Sequence, residues 1–281
     1  MQAMEQRITP DTLRPYLLQR ENDSHKGDYG HLLLVCGCQR MPGAAVQATG
    51  AALHAGCGLV TLHSTERALQ AVVNNFPSAM LSENPGDCFS VLPENIGKYS
   101  AIAVGPGLGQ ATETLKALVR LLQEADDHHI PLVLDADALN LLAAHPGLPI
   151  PAGSVMTPHL GELRRLTGDD SPGAALRLSR GTGCVVVRKG FHSQVITPDG
   201  EVHVNTTGNP GMAKGGSGDV LTGLIGGLIA RGYSAARAAC LGVWLHGFAG
   251  DRLTATRTAE AYDSRDLITA LPDAFRELYR I

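Results

Sequence analysis

The sequence predicts an α/β protein with a mostly parallel central sheet and helices on both faces. Three observations carry this prediction. Short apolar runs alternate with helix-like segments along the chain, as they do in successive βαβ units. Runs such as HLLLVCG (31–37) and CVVVRKG (184–190) lack the polar alternation of a half-solvated sheet, so both faces of those strands are buried. The 33 glycines, with abundant alanine, suit tight turns and close helix–sheet contact rather than disorder.

In chain order, HLLLVCG (31–37) is a buried strand ending in glycine, AAVQATGAALHAG (44–56) an Ala-rich helix and GLVTLHS (58–64) the next strand. After ERALQAVVNN, AIAVGPGLG (101–109) is a strand closed by a glycine turn, and ATETLKALVRLLQEA (111–125) is a helix with a Leu/Val stripe. PLVLDADALNLLA (131–143) and SVMTPHLGELRRLTG (154–168) each read as a strand running into a helix. CVVVRKG is a strand, and SQVITPDGEVHV (193–204) a hairpin turning at Pro-Asp-Gly. DVLTGLIGGLIARG (219–232) is a Gly-rich helix and AARAACLGVWLHGFAGDRL (235–253) another.

Composition narrows the function. The formal net charge is -4 and no basic run occurs, so nothing attracts nucleic acid electrostatically. No apolar stretch is long enough to span a bilayer, and MQAMEQRITPDTLRPYLLQR has no apolar core of a signal peptide. Cys36, Cys38, Cys57, Cys88, Cys184 and Cys240 include no CxxC pair and read as buried, reduced thiols. A cytoplasmic location is the expectation.

Ligands of a parallel sheet bind beyond the C-terminal ends of its strands. Several unusual clusters fall there. GPGLG (105–109) is not the dinucleotide fingerprint, because GPGLGQAT lacks GxGxxG; it reads equally as a ligand loop or a plain turn. DADALN (135–140) has two acids at a strand end, which bind a metal or cap the next helix. TPHLGE (157–162) holds His159 and Glu162 at an ordinary helix start. The P-loop, HExxH and GxSxG patterns are absent.

GNPGMAKGGSGDVLT (208–222) is the most specific segment, with glycines and one acid just before an apolar helix. Asp219 could simply N-cap that helix. A cap needs no GGSG before it, however. Backbone N–H groups at a glycine-rich helix start form an anion site. An acid beside such a site can take the proton from a hydroxyl attacking a phosphoryl group.

At this point the chain resembles a known family. GSGD at 216–219 fits the anion hole and catalytic acid of ribokinase-like enzymes. HKGDYGHLLLVCG, MPGAA, GLVTL, AIAVGPGLG, LVLDADALN, TPHLGELRRLTG, VVVRKG and NPGMAKGGSGDVLTGLIGGLIARG together resemble the ADP/ATP-dependent NAD(P)H-hydrate dehydratases over about residues 25–250. The resemblance implies one ribokinase-like α/β domain over 1–281. It also implies dehydration of the S epimer of hydrated NADH or NADPH (NADHX, NADPHX), with ADP or ATP as phosphoryl donor and Mg²⁺ on the phosphates. Ala45, Gly107 and His159 match positions contacting the hydrate. Lys189, Gly190, Phe191, His192 and Ser193 match the loop that holds the adenylate, and Gly218 a further nucleotide contact. Asp219 matches the catalytic acid, with the amides of Gly215, Gly216, Ser217 and Gly218 holding the phosphoryl. Glu162 is a candidate anchor behind the metal; the metal ligands themselves stay unassigned.

The family works with an epimerase, to which it is fused in many bacteria. The 281 residues leave no room for that second domain, so the chain is expected to stand alone or to be the C-terminal part of such a fusion. A homo-oligomer, commonly a tetramer, is expected, with the Ala/Gly-rich helix at 235–250 as a candidate contact between subunits. Two other readings use the same residues. One is a ribokinase-like kinase acting on a hydroxymethyl of a vitamin precursor or a sugar. The other is a non-catalytic adenylate sensor.

Overall fold

Leu32 and Leu34 belong to one buried core, and Leu33 and Val35 to another. This two-residue alternation in a wholly apolar strand means that helices cover both sheet faces. The computed structural model describes residues 5–280. Residues 1–4 and 281 of the expected domain lie outside the described residues.

The regular elements begin with β1 (Glu5–Arg7), α1 (Pro10–Leu13), β2 (His31–Val35), α2 (Pro42–Leu53), β3 (Leu59–Ser64), α3 (Glu66–Asn75) and β4 (Met80–Glu83). The middle of the chain forms β5 (Ala101–Val104), α4 (Thr112–Asp127), β6 (Leu132–Leu134), α5 (Ala136–Ala144), β7 (Val155–Met156), α6 (Leu160–Thr167) and α7 (Pro172–Thr182). Then come β8 (Val185–Arg188), β9 (Gln194–Ile196), β10 (Val202–Val204), α8 (Ser217–Ala230), α9 (Ala235–Thr254) and α10 (Ser264–Tyr279). The ten strands form one sheet in the order β1-β10-β9-β8-β7-β6-β5-β2-β3-β4. Only β9 runs antiparallel to its neighbours, β8 and β10, as the hairpin at Pro-Asp-Gly requires. One core packs α2, α3, α8, α9 and α10 on the sheet; the other packs α4, α5 and α7 on the opposite face.

Three elements depart from the sequence reading. α8 starts at Ser217, two residues before the expected Asp219, because Gly216 takes the cap position with φ +90°. Asp219 is therefore the third helical residue and not an N-cap. Most Ala/Gly positions of α9 do not face outward as expected; Ala235 and Ala236 are half-buried. Ala238, Ala239, Gly242, Gly247, Ala249 and Gly250 are buried inside this chain, where α9 packs on α8 and α10. Cys57 and Cys88 are only half-buried, although all six cysteines are free as expected.

Two helices escaped the sequence reading. The start of α7 is marked by Ser171, whose hydroxyl accepts from the Ala174 amide, followed by Pro172 at the first position; Gly183 ends it in the left-handed region. α10 opens with reciprocal capping between Asp263 and Asp266, but Pro272 inside it argues against a helix by sequence alone. Among the described residues, no helix is long and apolar enough to cross a membrane.

Helix α8 lies against α2 so closely that a Cβ at Gly223 would stand 2.0 Å from the Ala48 carbonyl oxygen. Gly181, near the end of α7, faces open space. Gly223→Ala should therefore cost about 1–3 kcal/mol through overpacking. Gly181→Ala should be neutral or stabilising by up to ~1 kcal/mol through lost chain entropy. Thermal unfolding of both variants checks this; equal melting temperatures would contradict the close packing.

Candidate active site

The strand ends carry the site, and the sheet aligns them. Beyond the regular strands the ladder continues: the Gly105 amide donates to Val35 O, Asp135 N to Val104 O, Thr157 N to Leu134 O and Lys189 N to Pro158 O. An isolated bridge pairs His159 with Lys189. GPGLG, DADALN, TPHLGE and RKGFHS thus share one rim. Gly105, at φ +129°, is needed because a Cβ there would sit 1.9 Å from Asp135 O.

At the centre of the rim is a buried charge cluster. Lys189 Nζ donates to Asp135 Oδ1 at 2.7 Å and stands 3.8 Å from Glu162 Oε2. Thr222 Oγ1, one turn below Asp219 on α8, donates to the other Asp135 oxygen at 2.7 Å. Burial works against the ammonium, but the Asp135 and Glu162 carboxylates outweigh it and hold the Lys189 pKa above the usual lysine value. Asp135 occupies the cap position of α5 without a capping hydrogen bond, so the cap reading of DADALN does not fit it. Asp137 fastens the glycine turn instead, accepting from the Gly109 amide at 2.8 Å and from Gln110 Nε2 at 2.8 Å.

The first turn of α8 rests on this cluster. A Cβ at Gly218 would lie 3.4 Å from Lys189 Nζ, so the backbone is pressed against the ion pair. The amides of Gly215, Gly216, Gly218 and Asp219 have no acceptor among the described residues. These unpaired donors, with the positive end of α8, have the chemistry of an anion site. Only Gly216 of this group needs a positive φ; a Cβ at Gly215 would meet nothing of the chain itself. Lys214 is not a free cation here. Its ammonium donates to the carbonyls of Ala259, Glu260 and Tyr262 and ties the loop down.

The Asp219 side chain is half-buried and has no hydrogen-bond or ion-pair partner among the described residues. Burial, then the Asp135 charge, push its carboxyl from 3.8 up to about 7, although Lys189 pulls the other way. Its charge reaches both Lys189 at the end of β8 and Cys36 at the end of β2, so it stands between the two halves of the rim.

A cleft of about 780 Å³ opens on one side of that acid. His159, Lys189, Gly190, Phe191, His192, Ser193, Ser217 and Gly218 all line it. Phe191 is 87% exposed and stacks on His192, their centroids 4.0 Å apart. His159 caps α6: its Nδ1 accepts from the amides of Gly161 and Glu162, while Glu162 Oε2 accepts from the His159 amide. Gly107 and Ala45 are not in this cleft. They lie on the β2–β5 side, where a Cβ at Gly107 would stand 2.7 Å from Ala44 Cβ. Ala45 is fully buried, against Gly37, and its neighbour Ala44 is half-exposed.

The sequence reading missed His246. It lines the cleft, with Nε2 3.2 Å from Ser217 Oγ, and burial pushes its pKa down to about 4, so it is neutral. Its only sequence signal is a polar ring inside the apolar stretch GVWLHGFAG.

Comparisons with known proteins agree with this geometry. The family described as NAD(P)H-hydrate dehydratase matches residues 32–273. An ADP-dependent (S)-NAD(P)H-hydrate dehydratase of Neisseria meningitidis is 39% identical, over 83% of this chain and 80% of its own length. A bifunctional NAD(P)H-hydrate repair enzyme of Moorella thermoacetica is 37% identical over 96% of this chain but 54% of its own length, so the chain spans about half of such bifunctional relatives. The ADP/ATP-dependent NAD(P)H-hydrate dehydratase from Bacillus subtilis, co-crystallised with ATP and Mg²⁺, superposes with a TM-score of 0.88 at 31% identity, covering 99% of both chains. A ribokinase-like superfamily protein of Enterococcus faecalis gives 0.86 at 26% identity, over 98% of this chain and 96% of its own. The fold is ribokinase-like, and the chain belongs to the NAD(P)H-hydrate dehydratase family.

Proposed function

We propose that this chain dehydrates the S epimer of hydrated NADH and NADPH back to the reduced nucleotides, while ADP is converted to AMP and phosphate. The observation that supports this most is an unpartnered carboxylate, Asp219, beside unpartnered amides at the start of α8, with a nucleotide-sized cleft next to them. ATP is the alternative donor, as it is for the similar ADP/ATP-dependent dehydratase of Bacillus subtilis.

In this reading Lys189–Ser193 and Gly218 hold the adenylate in the cleft, and the hydrate lies towards Ala45, Gly107 and His159. Asp219 takes the proton of the hydrate's hydroxyl as that oxygen attacks the terminal phosphorus of the nucleotide. The bond from phosphorus to the AMP oxygen breaks, and the amides of Gly215 to Gly218 stabilise the phosphoryl charge in transit. A hydroxyl leaves poorly, but its phosphate ester does not. The ring nitrogen's lone pair expels phosphate, and loss of the neighbouring carbon-bound proton restores the dihydropyridine. Lys189 offsets part of the Asp135 and Glu162 charge beside the phosphates.

A Mg²⁺ ion, when bound with the nucleotide, would offset phosphate charge. No group of three or more His, Cys, Asp or Glu side chains among the described residues could hold one by itself. The residues fit an ion carried mainly by the nucleotide, with Glu162 behind it. The same reading takes 1–281 as one working domain of a cytoplasmic homo-oligomer, a tetramer. An epimerase would supply its S epimer.

Asp219→Asn tests the base. A general base contributes about 10²–10⁴-fold, and Asn cannot accept the proton, so hydrate turnover should fall at least ~10²-fold with ADP still bound. Stability should not fall. The raised carboxyl binds a proton in the folded chain where the unfolded chain has lost it, so its contribution to stability declines as pH rises from about 4 through about 7. The Asn variant should therefore melt no lower than the parent above pH 7. Normal turnover in this variant would refute the assignment. In the parent protein, a stable phosphorylated product in place of free phosphate would favour the kinase reading, and bound nucleotide with no turnover the sensor reading.

The parent enzyme's kcat/KM should rise with pH to a plateau above about 7, as Asp219 ionises. A profile flat from pH 5 to 8 would contradict a base of that pKa.

Gly190 faces open space, so a valine there meets only a ligand. Gly190→Val should weaken ADP binding more than hydrate binding in calorimetry. Equal losses would count against the adenylate loop.

A further inference from the structure

The other end of α8 opens on a second cavity, of about 560 Å³. Arg231 caps α8 there, some 21 Å along the helix from the anion site at 1.5 Å per residue. The wall is mixed: Leu228, Pro272 and Phe275 are apolar, and Arg20, Arg231 and Tyr279 are polar.

Two guanidiniums converge on this space. A Cβ at Gly56 would lie 3.6 Å from Arg231 Nε and 3.9 Å from Arg20 Nη2. Both also lie over the Tyr29 ring, at 4.0 Å for Arg20 and 4.5 Å for Arg231. Both charges reach the Cys57 thiol, whose pKa burial pushes up to about 12. Among the described residues their only hydrogen bonds are to backbone: Arg20 Nη2 to Gly56 O, and Arg231 Nη2 to the carbonyls of Leu18 and Gln19. Neither forms an ion pair among the described residues. Like charges held together without a counter-ion repel, and each guanidinium has five donors in a planar fork. Most of those donors are unused, beside an open volume with an apolar floor.

We propose that this cavity is a second ligand site, which binds a small molecule with a phosphate head and an apolar, ring-sized body. The head bridges Arg20 and Arg231, and the body lies on Leu228, Pro272 and Phe275. A dianion answers two cations better than a carboxylate does, and the Arg fork matches phosphate geometry. The dehydratase cleft plays no part in it.

Calorimetry on the full chain, saturated with ADP so that the cleft is occupied, tests the proposal with three probes. Phenyl phosphate has head and body, inorganic phosphate only the head and phenol only the body. Phenyl phosphate should bind at least ~10-fold tighter than either fragment, and Arg20→Gln/Arg231→Gln should weaken it at least ~10-fold, the scale of a lost charge-assisted hydrogen bond. Turnover of the double variant should be unchanged, because neither arginine is in the cleft. If the double variant does not fold, Arg20→Gln alone, at an exposed position, should weaken phenyl phosphate several-fold. No binding of phenyl phosphate, equal binding of phenol, or unchanged affinity in the arginine variants would overturn the proposal.

Discussion

The ion pair between Lys189 and Asp135 holds the site together. Its carboxylate follows β6 and its ammonium follows β8, while Glu162 reaches it from α6 and Thr222 from α8. Four separate segments are thus fixed around one buried charge. Removing one partner of such a pair typically costs ~3–5 kcal/mol, because the other is left buried and unpaired. Gly218 rests directly against it, so the anion site at the start of α8 inherits that rigidity. Burial raises the Asp219 carboxyl, and of the pair Asp135 adds to the rise while Lys189 opposes it, leaving the acid near neutrality, as the proposed base requires.

This arrangement leaves Asp219 costly to the fold and useful to chemistry. A half-buried carboxylate without a hydrogen bond is unfavourable, and so are unpaired amides near it. Both deficits sit at the mouth of one helix whose remainder is buried, from Val220 through Ala230. The close fit of α8 on α2 gives that helix the support to keep its first turn unsatisfied.

Much of the fold was legible because the strands are apolar on both faces. The alternation of Leu32 and Leu34 with Leu33 and Val35 needs no long-range information to read. The unusual helix start was legible as well, because GGSGD breaks the economy of an ordinary cap, and its amides are left without acceptors among the described residues. Other features were not. Pro272 hid α10, and the exposed edge strands β1 and β4 have no apolar signature. Asp135 looked like a cap or a metal ligand because its partner, Lys189, lies 54 residues away. His246 meets Ser217 only after α9 has packed on α8. Such pairings come from the topology, not from local spacing.

The central claim is that the hydrate's own hydroxyl oxygen becomes a phosphate oxygen. Hydrated NADH carrying heavy oxygen in that hydroxyl, turned over with ADP and Mg²⁺, tests it directly by mass spectrometry of the released phosphate. If Asp219 drives phosphoryl transfer before elimination, one labelled oxygen per turnover appears in phosphate as the nicotinamide absorbance returns. Label released into water, with unlabelled phosphate, would mean that nucleotide cleavage and dehydration proceed without a phosphorylated hydrate and would contradict the account.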